Sequence, residues 1–209
     1  MRSIILATRN PGKCREIAQV LSDLPVAVEG LDRFPDVDEP AETGATFAAN
    51  ARDKANYYAR ATGRWCLADD SGLVVDALDG APGVHSARYA ADDLPPGATR
   101  DEIDRANNAR LLERLRDVPD ERRTARFVCH LALGDGERIL IETFDTIEGR
   151  IGHAPAGDNG FGYDPLFVNN ETGCTTAELS GEQKNAISHR GKAVRHFAGL
   201  LQSYLKSKG

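Results

Sequence analysis

The stretch Trp65-Cys66-Leu67-Ala68-Asp69-Asp70-Ser71-Gly72 constrains this chain most: an apolar run of strand length leads straight into two adjacent carboxylates, a hydroxyl and a glycine. Leu73-Val74-Val75-Asp76 follows, so the pattern predicts strand, tight acidic turn, strand. Two Asp at one strand end repel each other unless positive charge lies between or beside them. A divalent cation meets that need, because hard cations take carboxylate oxygens. The competing reading is an Asx-type turn, with Asp69 capping backbone amides and Asp70 facing water.

A chain of 209 residues forms one large domain or one domain with two lobes. A hydrophobic fraction of 41% is ordinary for a globular protein. The net charge of −6 gives no global attraction to nucleic acid or to an anionic membrane, so a polyanionic substrate needs a local basic cluster. Cys14, Cys66, Cys129 and Cys174 lie far apart without a C-x-x-C pair, which argues against a zinc site and a disulfide framework. Free thiols suit a reducing compartment. The start, Met1 to Ala7, is too short and lightly apolar for a signal peptide, and no run of about 18 apolar residues occurs. The expectation is a cytoplasmic protein without nucleic-acid or membrane partners.

Residues 3–7 read as a strand, and Thr8-Arg9-Asn10-Pro11-Gly12-Lys13 opens a helix with Asn10 as N-cap and Pro11 in the first position. A strand, a tight turn and a helix N-terminus can present free backbone N–H groups to an anion. The P-loop pattern fails at Ala7 and Cys14, which leaves a phosphate-binding turn with Lys13 as a point charge, or simply a capped helix with a solvated lysine. An acidic loop spans 35–42. A helix is predicted from Thr46 to Thr62, ending at Gly63, with Ala48, Ala51, Ala55 and Ala59 on a close-packing face. Asn50 and Lys54 lie one turn apart on a neighbouring stripe and alone read as a solvated edge. Thr99-Arg100-Asp101-Glu102 is a capping box whose helix continues to Val118, its charged remainder read as a solvent face. Residues 125–133 and 138–148 form a β-hairpin. In Gly160-Phe161-Gly162-Tyr163-Asp164-Pro165 the glycines allow close approach of a ligand and Phe161 or Tyr163 offers a ring to stack on; a glycine turn with two core aromatics is equally compatible. Ser180-Gly181-Glu182-Gln183 caps a short helix carrying Lys184, and Ser188-His189-Arg190-Gly191 breaks it without an evident packing purpose before a terminal amphipathic helix.

Taken in order, Thr8-x-Asn10-x-x-Lys13, Glu42-Thr43-Gly44, Asn50-x-x-x-Lys54-Ala55, Asp69-Asp70-Ser71-Gly72, Gly80-Ala81-Pro82-Gly83 with Ser86-Ala87-Arg88-Tyr89, Gly160 to Pro165, and Lys184 with Ser188 to Gly191 resemble the inosine triphosphate pyrophosphatase family. These house-cleaning enzymes hydrolyse aberrant purine nucleoside triphosphates. The resemblance spans nearly the whole chain. It departs at Ala49, where relatives often carry Glu, and Arg9 occupies a variable slot.

The resemblance implies an elongated α/β fold with a mixed, twisted sheet, two lobes and a central cleft, forming one domain and a homodimer. It implies Mg2+-dependent water attack at the α-phosphorus of ITP, dITP or XTP, giving the monophosphate and pyrophosphate. Glu42 and Asp70, with Asp69 as a second candidate, are the expected metal ligands, and Asp70 is the expected proton acceptor, acting through a water of the metal's shell. Thr8, Arg9, Asn10, Pro11, Gly12, Lys13, Lys54 and Ser71 are expected at the phosphates, Lys13 also in catalysis. Phe161, Gly162, Tyr163, Asp164, Lys184, His189 and Arg190 are expected at the base, where donors aimed at O6 favour hypoxanthine and xanthine over adenine. The competing functions are a pyrophosphatase for dTTP or UTP, whose motifs differ, and a non-catalytic nucleotide sensor, against which the retained acidic and basic residues speak.

Overall fold

The computed structural model describes residues 3–22 and 24–207; Met1 and Arg2, which open the stretch tested above for a signal peptide, lie outside them. In chain order the main elements are β1 (Ser3–Leu6), α1 (Pro11–Leu21), β2 (Ala27–Gly30), α2 (Phe47–Thr62), β3 (Trp65–Val75), α3 (Arg100–Arg114), β4 (Thr124–Gly134), β5 (Ile139–Ile151), β6 (Phe167–Asn169), α4 (Gly181–Ile187) and α5 (His189–Lys206). The sheet is mixed, in the order β2-β1-β3-β4-β5-β6, with β1 parallel to β2 and β3 and β6 antiparallel to β5. This is an α/β protein. No helix among the described residues is long and apolar enough to cross a membrane.

The chain divides into two compact units: residues 1–70, 129–145 and 188–209, and residues 71–128 and 146–187. In the first unit, strand alternation sorts the apolar residues onto two faces. Ile4, Leu6, Leu67, Cys129, Leu131 and Leu133 meet Ile17 and Leu21 of α1 and Val194, Phe197 and Leu201 of α5. Ile5, Ala7, Cys66, Ala68 and Ala132 meet Ala51, Ala55, Tyr58 and Ala59 of α2. The small α2 residues permit a close approach: a Cβ on Gly134 would stand 3.1 Å from the Ala55 carbonyl carbon. In the second unit, Leu111 and Leu115 at the end of α3 pack on Leu73, Val75, Ala125, Phe127, Ile147 and Ile151, joined by Tyr163, Leu166 and Phe167.

Local signals place several boundaries as expected. Asn10 accepts from the N–H groups of Gly12 and Lys13, Thr46 caps α2, and the capping box of Thr99 and Glu102 is complete, although α3 ends at Arg114 rather than Val118. The predicted acidic turn is absent: residues 65–75 form one unbroken strand with Asp69 and Asp70 in its middle. Asp-Asp-Ser-Gly favours a turn locally, but strand pairing and the cations on either face hold it extended. Asn50 and Lys54, read alone as a solvated edge, are buried.

Candidate active site

Consecutive strand residues point to opposite faces. Asp69 therefore shares the Leu67 side with α1 and α5, and Asp70 shares the Ala68 side with α2. Two neighbours in sequence acquire entirely different surroundings.

Asp69 is 1% exposed. One carboxylate oxygen meets Lys13 Nζ at 2.5 Å; the other accepts from Arg190 Nε at 2.7 Å and from the Cys129 thiol at 3.3 Å. Arg190 also pairs with Glu16 of α1. Burial pushes the Asp69 carboxyl up, but Arg190 and Lys13 outweigh it and hold the group well below its ordinary range. Both oxygens are engaged by cations, so Asp69 acts as a strut between Lys13 and Arg190.

Asp70 is buried but less saturated. Its Oδ1 lies 2.7 Å from Lys54 Nζ and its Oδ2 accepts from Asn50 Nδ2 at 3.2 Å. Burial raises its pKa, and Lys54 and Lys13 only partly offset that. Lys54 Nζ also meets Glu42 Oε1 at 2.7 Å and donates to the Asp69 carbonyl at 3.1 Å. Desolvation pulls the Lys54 ammonium down, yet Asp70 and Glu42 reverse this and keep it charged. Asn50 completes the arrangement: its Oδ1 accepts the Gly44 N–H at 2.8 Å, which fixes its amide so that Nδ2 faces Asp70.

At the start of α1, Thr8 Oγ1 accepts from the Asn10 N–H, and Asn10 Oδ1 already takes the Gly12 and Lys13 amides at 2.9 and 3.2 Å. Pro11 is exposed in the first helical position. The expected amide cradle is thus occupied by its own cap, and the Lys13 ammonium is the group of this turn that reaches the acidic strand. Arg9 donates to the Val37 carbonyl at 2.7 Å, tying the turn to the acidic loop. His189 and Arg190 lie buried in the first turn of α5, which Ser188 caps by accepting the Gly191 N–H at 3.0 Å. The Ser188–Gly191 break has a packing purpose after all: it starts a helix that delivers Arg190 to Asp69.

The second unit holds another polar cluster. Asp164, 2% exposed, accepts from the Phe161 N–H at 2.8 Å, Lys184 Nζ at 2.6 Å and Thr176 Oγ1 at 2.8 Å. Lys184 Nζ stands 4.7 Å from the centre of the Phe161 ring, a cation–π distance. Gly160, at φ +80°, is required here because a Cβ would come within 2.2 Å of Asp164 Oδ2. Phe161 is half-buried, whereas Tyr163 is packed in the core with its hydroxyl donating to the Ser86 carbonyl at 3.0 Å. Of the two aromatics, Phe161 is the one able to offer a face. Ser71 follows Asp70 on β3, half-buried.

The structure thus gathers Lys13, Glu42, Lys54, Asp69, Asp70 and Arg190 in the first unit, and Phe161, Asp164 and Lys184 in the second. Sequence reasoning passed over Asn50, Glu16 and Cys129 as site residues. Asn50 carried a signal, since it precedes Lys54 by one helical turn. Cys129 carried none, because its meeting with Asp69 depends on strand order.

Residues 4–200 match the model of the Ham1 family. A protein of Nitratidesulfovibrio vulgaris named dITP/XTP pyrophosphatase is 52% identical over 206 residues, covering 97% of each chain. One of that name from Geobacter sulfurreducens is 49% identical over 211 residues, covering 100% of this chain and 99% of its own. Among solved structures, a HAM1 protein from Coxiella burnetii superposes with a TM-score of 0.84 at 39% identity, over 97% of this chain and all of its own. A nucleoside-triphosphatase, dITP/XTP pyrophosphatase, from Mycobacterium abscessus does so at 0.72 and 45%, over 93% and 98% of the two chains. Sequence and fold agree over nearly the full length, and the chain belongs to the Ham1 family.

Proposed function

We propose that this chain hydrolyses dITP, XTP and ITP to the nucleoside monophosphate and pyrophosphate. The names of its full-length relatives support the substrate class. The observation that carries the chemistry is the opposite surroundings of the neighbouring carboxylates: Asp69 is held on both oxygens by Lys13 and Arg190, while Asp70 meets Lys54 and Asn50 and burial raises its pKa. In this reading water attacks the α-phosphorus and its proton passes to the Asp70 carboxylate. The bond from the α-phosphorus to the bridging oxygen breaks, and pyrophosphate leaves with that electron pair. Lys13 and Lys54 offset the phosphate charge.

The donor set suits Mg2+. Glu42 and Asp70 would hold it with hard carboxylate oxygens, each now 2.7 Å from Lys54 Nζ; among the described residues no three or more His, Cys, Asp or Glu group as a metal site, so substrate would have to complete the set. Bound there with substrate, Mg2+ would supply positive charge against the triphosphate. Asp69, held by two cations, is not among the ligands of this proposal. At the base, Phe161 stacks on the purine and Lys184 donates to O6; adenine, with an amino group there, leaves donor facing donor.

Pyrophosphate release from dITP, XTP and dATP, with and without Mg2+, tests the reading. Mg2+-dependent release from dITP and XTP, with dATP poor, is expected. Equal turnover of dITP and dATP would remove the base-reading account, and orthophosphate as the product would remove attack at the α-phosphorus.

A further inference from the structure

Most charged residues of α3 face solvent as expected, with Asp101, Glu102, Arg105, Glu113 and Arg114 exposed, but one polar stripe is turned onto backbone. Asn107 Oδ1 accepts from the Ala90 N–H at 2.8 Å and its Nδ2 donates to the Ser86 carbonyl at 3.3 Å. Arg110 donates to the Tyr89 carbonyl. One turn from these, Asp104 Oδ2 accepts the Gly162 N–H at 2.9 Å and Asn108 Nδ2 donates to the Gly162 carbonyl at 3.0 Å. Asp104 and Asn108 are four residues apart, hence on one stripe of the helix, and they hold the peptide groups on both sides of a single residue.

That residue needs holding. Gly162 sits at φ +63°, with open space where a Cβ would be, so neither contact nor side chain defines its conformation. A glycine without such restraint samples many alternatives. The peptide joining Phe161 to Gly162 carries the aromatic ring, and on its other side the Phe161 N–H is fixed by Asp164. Asp104 is itself steadied by Arg100, whose Nε lies 3.1 Å from Oδ1.

We propose that Asp104 and Asn108 are positioning residues for purine binding: they set the Phe161 ring by clamping Gly162, and so tune substrate affinity without touching substrate. This rests on Phe161 stacking on the base, as proposed above. It makes α3 a determinant of base affinity, although its sequence shows only a capped, charged helix.

The test uses the full chain with Asn108→Ala, Asp104→Ala and Asp104→Asn. Loss of one neutral hydrogen bond predicts a rise in KM for dITP of about five- to tenfold in Asn108→Ala, with kcat within about twofold. Inhibition by pyrophosphate, which has no base, stays unchanged. Asp104→Asn, whose amide oxygen still accepts the Gly162 N–H, keeps KM near that of the parent, whereas Asp104→Ala raises it. Hydrogen exchange of the peptide containing residues 160–163 speeds up in Asn108→Ala. Unchanged KM and exchange in Asn108→Ala would overturn the proposal, as would a parallel loss of kcat and of pyrophosphate inhibition. Asn108 is half-exposed, so that variant carries the test even where Asp104→Ala fails to fold. Faster exchange in Asn108→Ala, together with a parent chain that releases no pyrophosphate from dITP, would mean that the clamp exists and the functional reading fails.

Discussion

Replacing Arg190 by Met should cost this protein stability before it costs it anything else. The guanidinium is 3% exposed and pairs with Asp69, 1% exposed, and with Glu16. Met keeps much of the side-chain volume but takes the guanidinium from Asp69, whose remaining partners include Lys13 and the Cys129 thiol. Stranding one member of a buried pair costs about 3–5 kcal/mol, and the surviving Lys13 contact places this case near the low end. For a chain of this length each kcal/mol moves Tm by about 2–4 °C, so a fall of about 6–12 °C is expected in scanning calorimetry. Glu16 is half-buried and can recover water, so the strain centres on Asp69. The double variant Asp69→Asn, Arg190→Met removes the stranded charge and should regain about half of the loss, a coupling of at least about 1.5 kcal/mol.

The same pair fixes a pH signature. Asp69 has a folded pKa depressed below its unfolded value, so its contribution is present above the ordinary carboxylate range, near pH 4, and drains away as pH falls below it. The gap in stability between the parent and Arg190→Met should therefore narrow as pH falls below about 4. A variant with Tm within about 2 °C of the parent at pH 7 would refute the strut assignment, because no buried carboxylate loses such a partner so cheaply.

Two further outcomes follow from the other face of β3. Asp70→Asn should keep the fold and lower pyrophosphate release by about a hundredfold to ten-thousandfold, the range for removing a general base; in the parent, the raised Asp70 pKa should put the acid limb of kcat/KM above the ordinary carboxylate value near 3.9. Asn50→Asp keeps an acceptor for the Gly44 N–H but faces Asp70 with a carboxylate, so activity should fall at least about tenfold while Asn50→Ala also loses about 2–4 kcal/mol of stability; a fully active Asn50→Asp would show that the amide does not orient Asp70.

What the sequence disclosed was local, and what it hid was long-range. The caps Asn10, Thr46 and Thr99 act on amides two or three residues away, so their helices could be placed from spacing alone. Arg190 reaches Asp69 across 121 positions and Cys129 across 60, distances over which no periodicity speaks. The acidic turn was misplaced for the same reason: its residues favour a turn until partners from α1, α2 and α5 are counted. Asp104 and Arg110, among the charged residues of α3, looked solvated because a side chain that binds backbone has no partner identifiable by residue type. Resemblance to a family supplied a list of residues, but not which partners each of two neighbouring carboxylates would meet.

That distinction comes from one property of β3. Alternation makes adjacent residues strangers, so the chain can build an ionised strut and a raised-pKa carboxylate side by side without either spoiling the other. The device works only if the register is fixed, because a slip of one residue would exchange the two faces. Here both faces are buried and differ in depth: Leu67 fills the α1 and α5 side, while Ala68 meets the alanines of α2. A slipped strand would press Leu67 onto that small-residue surface and leave a void where it had been, so steric mismatch opposes it before any charge is considered. Packing therefore determines which of two chemically identical carboxylates meets Arg190 and Lys13, and which meets Lys54 and Asn50.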